Sequence, residues 1–97
     1  MITSKQRAAL RGMANTLEAL FQLGKAGVTP EFIAMLSDAL EKRELIKITV
    51  LNNCVMETKE AADIISERTR SEIVQIIGRK ITLYRKSEKN PVVSARL

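Results

Sequence analysis

The segment from residue 18 to residue 51 constrains the fold most, because it reads strand, helix, strand around one sharply marked helix start. Thr29 is a good N-cap and Pro30 suits the first helical position. Glu31 places an anion in the first turn, where the helix dipole favours it. Phe32, Ile33, Leu36, Ala39 and Leu40 then share one face, and the helix should end near Arg43. Before it, Glu18–Leu23 is a short apolar run closing on glycine, as a buried strand does. After it, Ile46, Ile48 and Val50 alternate with Lys47 and Thr49, which predicts a strand over Glu44–Leu51. Two strands joined by one helix should lie parallel, linked by a right-handed crossover.

The flanking segments extend this unit. Residues 4–14 read as a helix capped by Thr3, with Leu10, Met13, Ala14 and Leu17 in one stripe and Arg7 and Arg11 on another face. Asn52 and Asn53 mark a turn, and a third helix capped by Thr58 carries Ala61, Ile64 and Ile65 to about Thr69. Glu72–Ile77 and Lys80–Tyr84 flank Gly78-Arg79, a pair suited to a type II′ hairpin turn. That turn sets Ile76 opposite Ile81 and Val74 opposite Leu83 on one face, leaving Gln75, Lys80, Thr82, Tyr84 and Lys86 on the other.

The expected order is α-β-α-β-α-β-β, an α/β (α+β) single domain with a mixed four-stranded sheet and helices on one or both faces. At 97 residues the chain has the size of one domain. The domain should occupy residues 1–87, with residues 88–97 a polar, basic, frayed C-terminal tail.

Composition removes several kinds of chemistry. Without histidine, Ser-His-Asp and Cys-His nucleophiles and His-ligated zinc are excluded. The lone Cys54 forms no internal disulfide and fits a small packed side chain in a reducing compartment. No apolar run nears the roughly 18 residues of a membrane span, and the N-terminus lacks the apolar core of a secretory signal. A cytoplasmic protein with no cofactor, no metal, no membrane partner and no small-molecule substrate is expected.

Charge is distributed unevenly. Residues 1–30 carry four bases against one acid, residues 31–67 four against eight, and residues 68–97 eight against two. If the fold joins the two ends, one side is basic and the other acidic, an arrangement suited to a polyanion. Gly24-Lys25-Ala26-Gly27 lies between the first strand and the best-marked helix. Two glycines three apart admit a close backbone approach, the helix start offers unpaired N–H groups, and Lys25 adds a full charge. Such a loop suits a nucleic-acid backbone, as the GXXG loop of KH domains does. The same glycines would also serve merely to end a strand and permit a left-handed turn. The phosphate loop G-x-x-x-x-G-K-[ST] is absent. Of the aromatics Phe21, Phe32 and Tyr84, only Tyr84 is left to stack on a base, and it suits half-buried strand packing better. Binding should therefore run through phosphates and shape.

The stretches LRGMANTLEALFQLGKAGVTPEFIAMLSDALEKRELIKITV and IVQIIGRKITLYR resemble the CRM domain (chloroplast RNA splicing and ribosome maturation) in its free-standing bacterial YhbY form. The resemblance runs from about Thr3 to Arg85, and LGKAGVT, ELIKI and VQIIGRKITLYR are its most specific pieces. It implies a fold similar to the C-terminal domain of translation initiation factor three, and an RNA-binding protein that associates with large-subunit ribosome precursors. Carried over by position, the family's GxxG loop falls on Gly24, Lys25, Ala26 and Gly27. Its basic surface would draw on Lys5, Arg7 and Arg11 in the first helix, and further on Arg79, Lys80, Arg85 and Lys86. Ribosomal RNA is the implied partner of a monomer, with ribosomal proteins as further contacts.

Three other functions compete with this one. A winged-helix DNA-binding protein also has helices followed by a hairpin, but the third helix would bring Glu60, Asp63 and Glu67 against phosphate with Lys59 alone to offset them. An enzyme would need paired carboxylates in an apolar pocket, and Glu41 with Glu44, or Glu60 with Asp63 and Glu67, read as solvated faces. A protein-interaction module could use the same acidic block on a basic ribosomal protein.

Overall fold

The computed structural model describes residues 2–97. Its elements are α1 (Ser4–Ala14), β1 (Phe21–Leu23), α2 (Pro30–Arg43), β2 (Leu45–Val50), α3 (Thr58–Thr69), β3 (Glu72–Ile77) and β4 (Lys80–Tyr84), with a closing 3₁₀ turn at Ser94–Arg96. The expected order is met, and the strands form one mixed sheet in the order β1-β2-β4-β3. β1 pairs parallel to β2, Phe21 beside Ile48 and Leu23 beside Val50. β4 runs antiparallel to both β2 and β3.

Helices cover both faces. On one, Leu36 and Leu40 of α2 and Ala61 and Ile65 of α3 bury Leu23, Ile48, Ile81 and Leu83. On the other, Leu10 and Ala14 of α1 pack on Leu45, Val74 and Tyr84. The α1 start is a full capping box: Gln6 N–H donates to Thr3 Oγ1 at 3.1 Å, and Thr3 N–H to Gln6 Oε1 at 2.9 Å. At the far end Lys47 Nζ donates to the Ala14 carbonyl at 2.7 Å, a cation on a helix C-terminus.

Four local expectations are corrected. β1 begins at Phe21 rather than Glu18, because residues 15–20 are used in carrying the chain from α1 to the sheet edge. The N-cap of α3 is Glu57, which makes no side-chain cap bond, and Thr58 is already helical. In the hairpin, Gly78 takes φ +59° as the turn requires and Ile76 faces Ile81, but Ile73 rather than Val74 lies opposite Leu83. A bulge between Ile73 and Gln75 causes the shift, and it swings Val74 to the α1 face. Beside the bulge, the Arg7 guanidinium donates to the Ile73 carbonyl.

The fourth correction concerns the tail. Glu44 is the C-cap of α2, at a positive φ of 66°, and it is fully buried rather than part of a solvated face. Its Oε1 accepts the N–H groups of Val92 and Val93 at 2.7 Å and of Ser94 at 3.0 Å. Its Oε2 accepts Ser87 N–H and Ser94 Oγ–H, each at 2.7 Å. Val93 then packs against the α1-side core. The C-terminal segment is thus tied to the domain, not frayed.

Candidate functional site

The GxxG segment is a tight turn. Gly27 N–H donates to the Gly24 carbonyl at 3.0 Å, which leaves Lys25 and Ala26 exposed at the tip. Gly27 sits at φ +71°, a conformation that costs a side chain. Two residues on, Thr29 Oγ1 accepts Phe32 N–H at 3.1 Å and starts α2. The turn is rooted in the sheet by Leu51 N–H on the Leu23 carbonyl, at 2.8 Å. One strand further, Val50 N–H donates to the Arg79 carbonyl at 2.7 Å, and Arg79 Nη1 reaches the Leu51 carbonyl at 3.3 Å. With strands about 4.8 Å apart, the roots of the GxxG turn and the hairpin turn lie roughly 10 Å apart at one end of the sheet. Lys25, Arg79 and Lys80, all exposed, therefore belong to one end.

The remaining basic residues of the sequence reading lie elsewhere. Arg7 meets Ile73 at the start of β3, and Ile2 N–H donates to Glu72 Oε1 at 3.2 Å, so the start of α1, with exposed Lys5, is at the sheet end remote from the loop. Arg11 is exposed in the last turn of α1. Arg85 is occupied internally: it donates to Ser37 Oγ at 3.0 Å, to the Ser37 carbonyl at 2.7 Å and to the Thr69 carbonyl at 2.7 Å. It ties α2 to the C-terminus of α3. Lys86 is exposed and lines a depression with Arg70 and Glu72, again at the remote end. Tyr84 is 6% exposed against α1, so it offers no stacking platform. Burial, and then the Glu44 charge, push its hydroxyl above the usual tyrosine range.

Among the described residues no three His, Cys, Asp or Glu side chains gather as metal ligands, and no helix is long and apolar enough to cross a membrane. Lys59 with Asp63, at 2.6 Å on an exposed face of α3, is the one ion pair among them, so most of the basic side chains lack a carboxylate partner.

Comparison with known proteins decides the family. The CRS1 / YhbY (CRM) domain model matches residues 2–85. The chain belongs to the CRM family. Over 90 residues this CRM chain is 43% identical to the Bacillus subtilis protein named "Probable RNA-binding protein YqeI", covering 93% of one chain and 94% of the other. It is 36% identical over 89 residues to a Haemophilus influenzae protein named "RNA-binding protein", covering 91% and 89%. The solution structure of SAV1595 from Staphylococcus aureus superposes with a TM-score of 0.78 at 47% identity, covering 93% and 94%.

The two glycines of the GxxG turn differ in what the fold asks of them. A left-handed turn accounts for Gly27 but not for Gly24, which has no positive φ. A Cβ on Gly24 would meet Asn53 Oδ1 and Leu51 Cδ1 at 3.5 Å, an ordinary contact, so the fold alone does not demand glycine there. Gly24→Ala is expected to leave the urea midpoint nearly unchanged, within about 0.5 kcal/mol, as at sites without strain. Gly27→Ala should cost about 1–2 kcal/mol, the penalty of a left-handed side chain. A large loss for Gly24→Ala would show that the glycine serves packing.

Sequence reading missed two basic residues in this CRM chain, Arg43 and Arg96, which line one depression. Arg43 was legible only as a helix end, and Arg96 lay in a segment read as loose.

Proposed function

We propose that this chain binds RNA through the GxxG end of its sheet and assists assembly of the large ribosomal subunit by holding precursor RNA, without catalysis. The observation that carries the reading is the meeting of Lys25, Arg79 and Lys80 around a turn whose first glycine the fold does not require. A side-chain-free Gly24 lets a phosphate backbone come close, and three cations at one end supply attraction without sequence readout. The names of the relatives support RNA as the polyanion. The ribosomal destination rests on the resemblance of LGKAGVT, ELIKI and VQIIGRKITLYR to the ribosome-maturation form of the domain. The chain acts as a cytoplasmic monomer in this reading, with ribosomal proteins as secondary contacts. Nothing in the architecture favours a winged helix: α3 packs its apolar face on the sheet and presents Glu60, Asp63 and Glu67 to solvent.

Competition between structured ribosomal RNA and duplex DNA of equal charge, across a salt series, tests this. About four phosphate contacts should give a slope of log K against log salt near −3, with RNA preferred at moderate salt. DNA preference, or equal binding that vanishes with salt, would overturn the reading.

A further inference from the structure

We infer that Arg43 and Arg96 form a second phosphate-binding site for RNA, at the sheet end opposite the GxxG turn, and that Glu44 builds it by holding the C-terminal segment in place. The inference rests on the RNA-binding reading above and adds a site to it. The family match ends at residue 85, so membership does not account for Arg96.

Arg43 and Arg96 line one open depression of about 330 Å³, floored by Met13, Leu17, Leu45 and Val93 and containing no carboxylate. Both arginines are exposed, and neither guanidinium has a hydrogen-bond or ion-pair partner among the described residues. Arg7 and Arg85, by contrast, are each part-buried on a carbonyl oxygen. The comparable depression with Arg70 and Lys86 contains Glu72, which offsets its charge. The Arg43–Arg96 depression therefore joins two forked guanidinium donors over an apolar floor with no carboxylate in its lining; the Glu44 carboxylate behind Val93 is buried and taken up by the N–H and O–H donors of the C-terminal segment. That geometry suits a phosphate, which takes paired N–H donors from arginine.

The second guanidinium arrives by construction. Ordering a terminal segment costs about 1–2 kcal/mol per residue, and it brings like charge to like charge here. Glu44 offsets that cost by accepting three successive N–H groups, of Val92, Val93 and Ser94, on one oxygen. The turn at Ser94–Arg96 follows directly. Glu44 touches no ligand and is a positioning residue. Arg43 ends α2, whose 14 residues start beside the GxxG turn, so at 1.5 Å per residue the two sites are roughly 20 Å apart. An RNA engaging both spans the domain.

The test measures binding of a labelled structured ribosomal RNA fragment to the full chain over a salt series. Arg43→Gln with Arg96→Gln should keep the fold and weaken binding about tenfold, with the log–log salt slope shallower by about 1–2. Glu44→Gln should match the loss of Arg96→Gln alone, and combining the two should weaken binding no further, because both remove the same contact. Full affinity and an unchanged slope in the Arg43→Gln/Arg96→Gln variant, while Lys25→Glu weakens binding, overturns the second site and leaves the first. Additive losses from Glu44→Gln and Arg96→Gln overturn the role given to Glu44. A wild-type chain without RNA affinity overturns both sites together. If Glu44→Gln does not fold, the exposed arginine pair decides the site alone.

Discussion

Reversing Lys25, Arg79 and Lys80 together to glutamate is expected to lower RNA affinity by a factor of about 100 or more while leaving the thermal midpoint nearly unchanged. All three side chains are exposed at the GxxG end of the sheet, and none lies in either core cluster. Each lost phosphate contact makes the salt slope shallower by about 0.7 on a single strand, so the triple variant should lose about 2. The new carboxylates also repel, which carries the effect beyond simple deletion. The bond from Arg79 to the Leu51 carbonyl is a long one at 3.3 Å between exposed partners, so its loss costs little stability. Fluorescence anisotropy at three salt concentrations, with circular dichroism melts beside it, measures both quantities. A folded triple variant of wild-type affinity would remove the GxxG end from the interface. Pairing Lys25 with Arg7 and Arg11, as charge along the chain alone invites, is the weaker experiment: Arg7 holds Ile73 beside the bulge, so its reversal confounds binding with folding.

The elements were legible where one local signal fixed both ends. Thr29-Pro30-Glu31 started α2 where expected, and Gly78-Arg79 set a two-residue turn because a φ of +59° suits glycine. What could not be read were features set by tertiary contact. The bulge at Val74 exists where α1 lays an apolar stripe on β3, and alternation within the strand alone puts Val74 beside Leu83. Glu44 stops α2 at a positive φ, which sequence reading reserves for Gly or Asn. Its reason lies some fifty residues away, in the N–H groups of Val92 to Ser94.

The candidate site was legible in part for the same reason. The GxxG loop is contiguous, so its spacing and its place between a strand and a helix show in the sequence. A basic surface is not contiguous, and net charge cannot tell a free cation from an occupied one. Arg85 and Arg79 look alike along the chain, but Arg85 ties Ser37 to Thr69 whereas Arg79 lies exposed at a turn. Arg43 and Arg96 become neighbours only once the tail has closed on Glu44.

That closure should depend on pH in a defined window. Burial alone would raise the Glu44 carboxyl; the Ser87 and Ser94 N–H groups, the Ser94 hydroxyl and the Val92 N–H outweigh it and lower it from 4.5 to about 2. A carboxyl depressed on folding contributes its full stability above its unfolded value. The contribution shrinks as pH falls below about 4.5 and is lost as pH passes through about 2. Neighbouring Glu41 acts in the same direction, its carboxyl lowered by the Ser87 hydroxyl and the Lys89 N–H, and Tyr84 stays protonated throughout. The amide resonances of Val92, Val93 and Ser94 should therefore move toward free-chain positions between pH 4.5 and pH 2, ahead of those in β2 and β4. Glu44→Gln should show undocked resonances already at pH 7 and cost roughly 1–3 kcal/mol in urea, the scale of charge-assisted bonds left unmade. Docked tail resonances in Glu44→Gln at neutral pH would mean that Val93 packing, not the carboxylate, holds the segment.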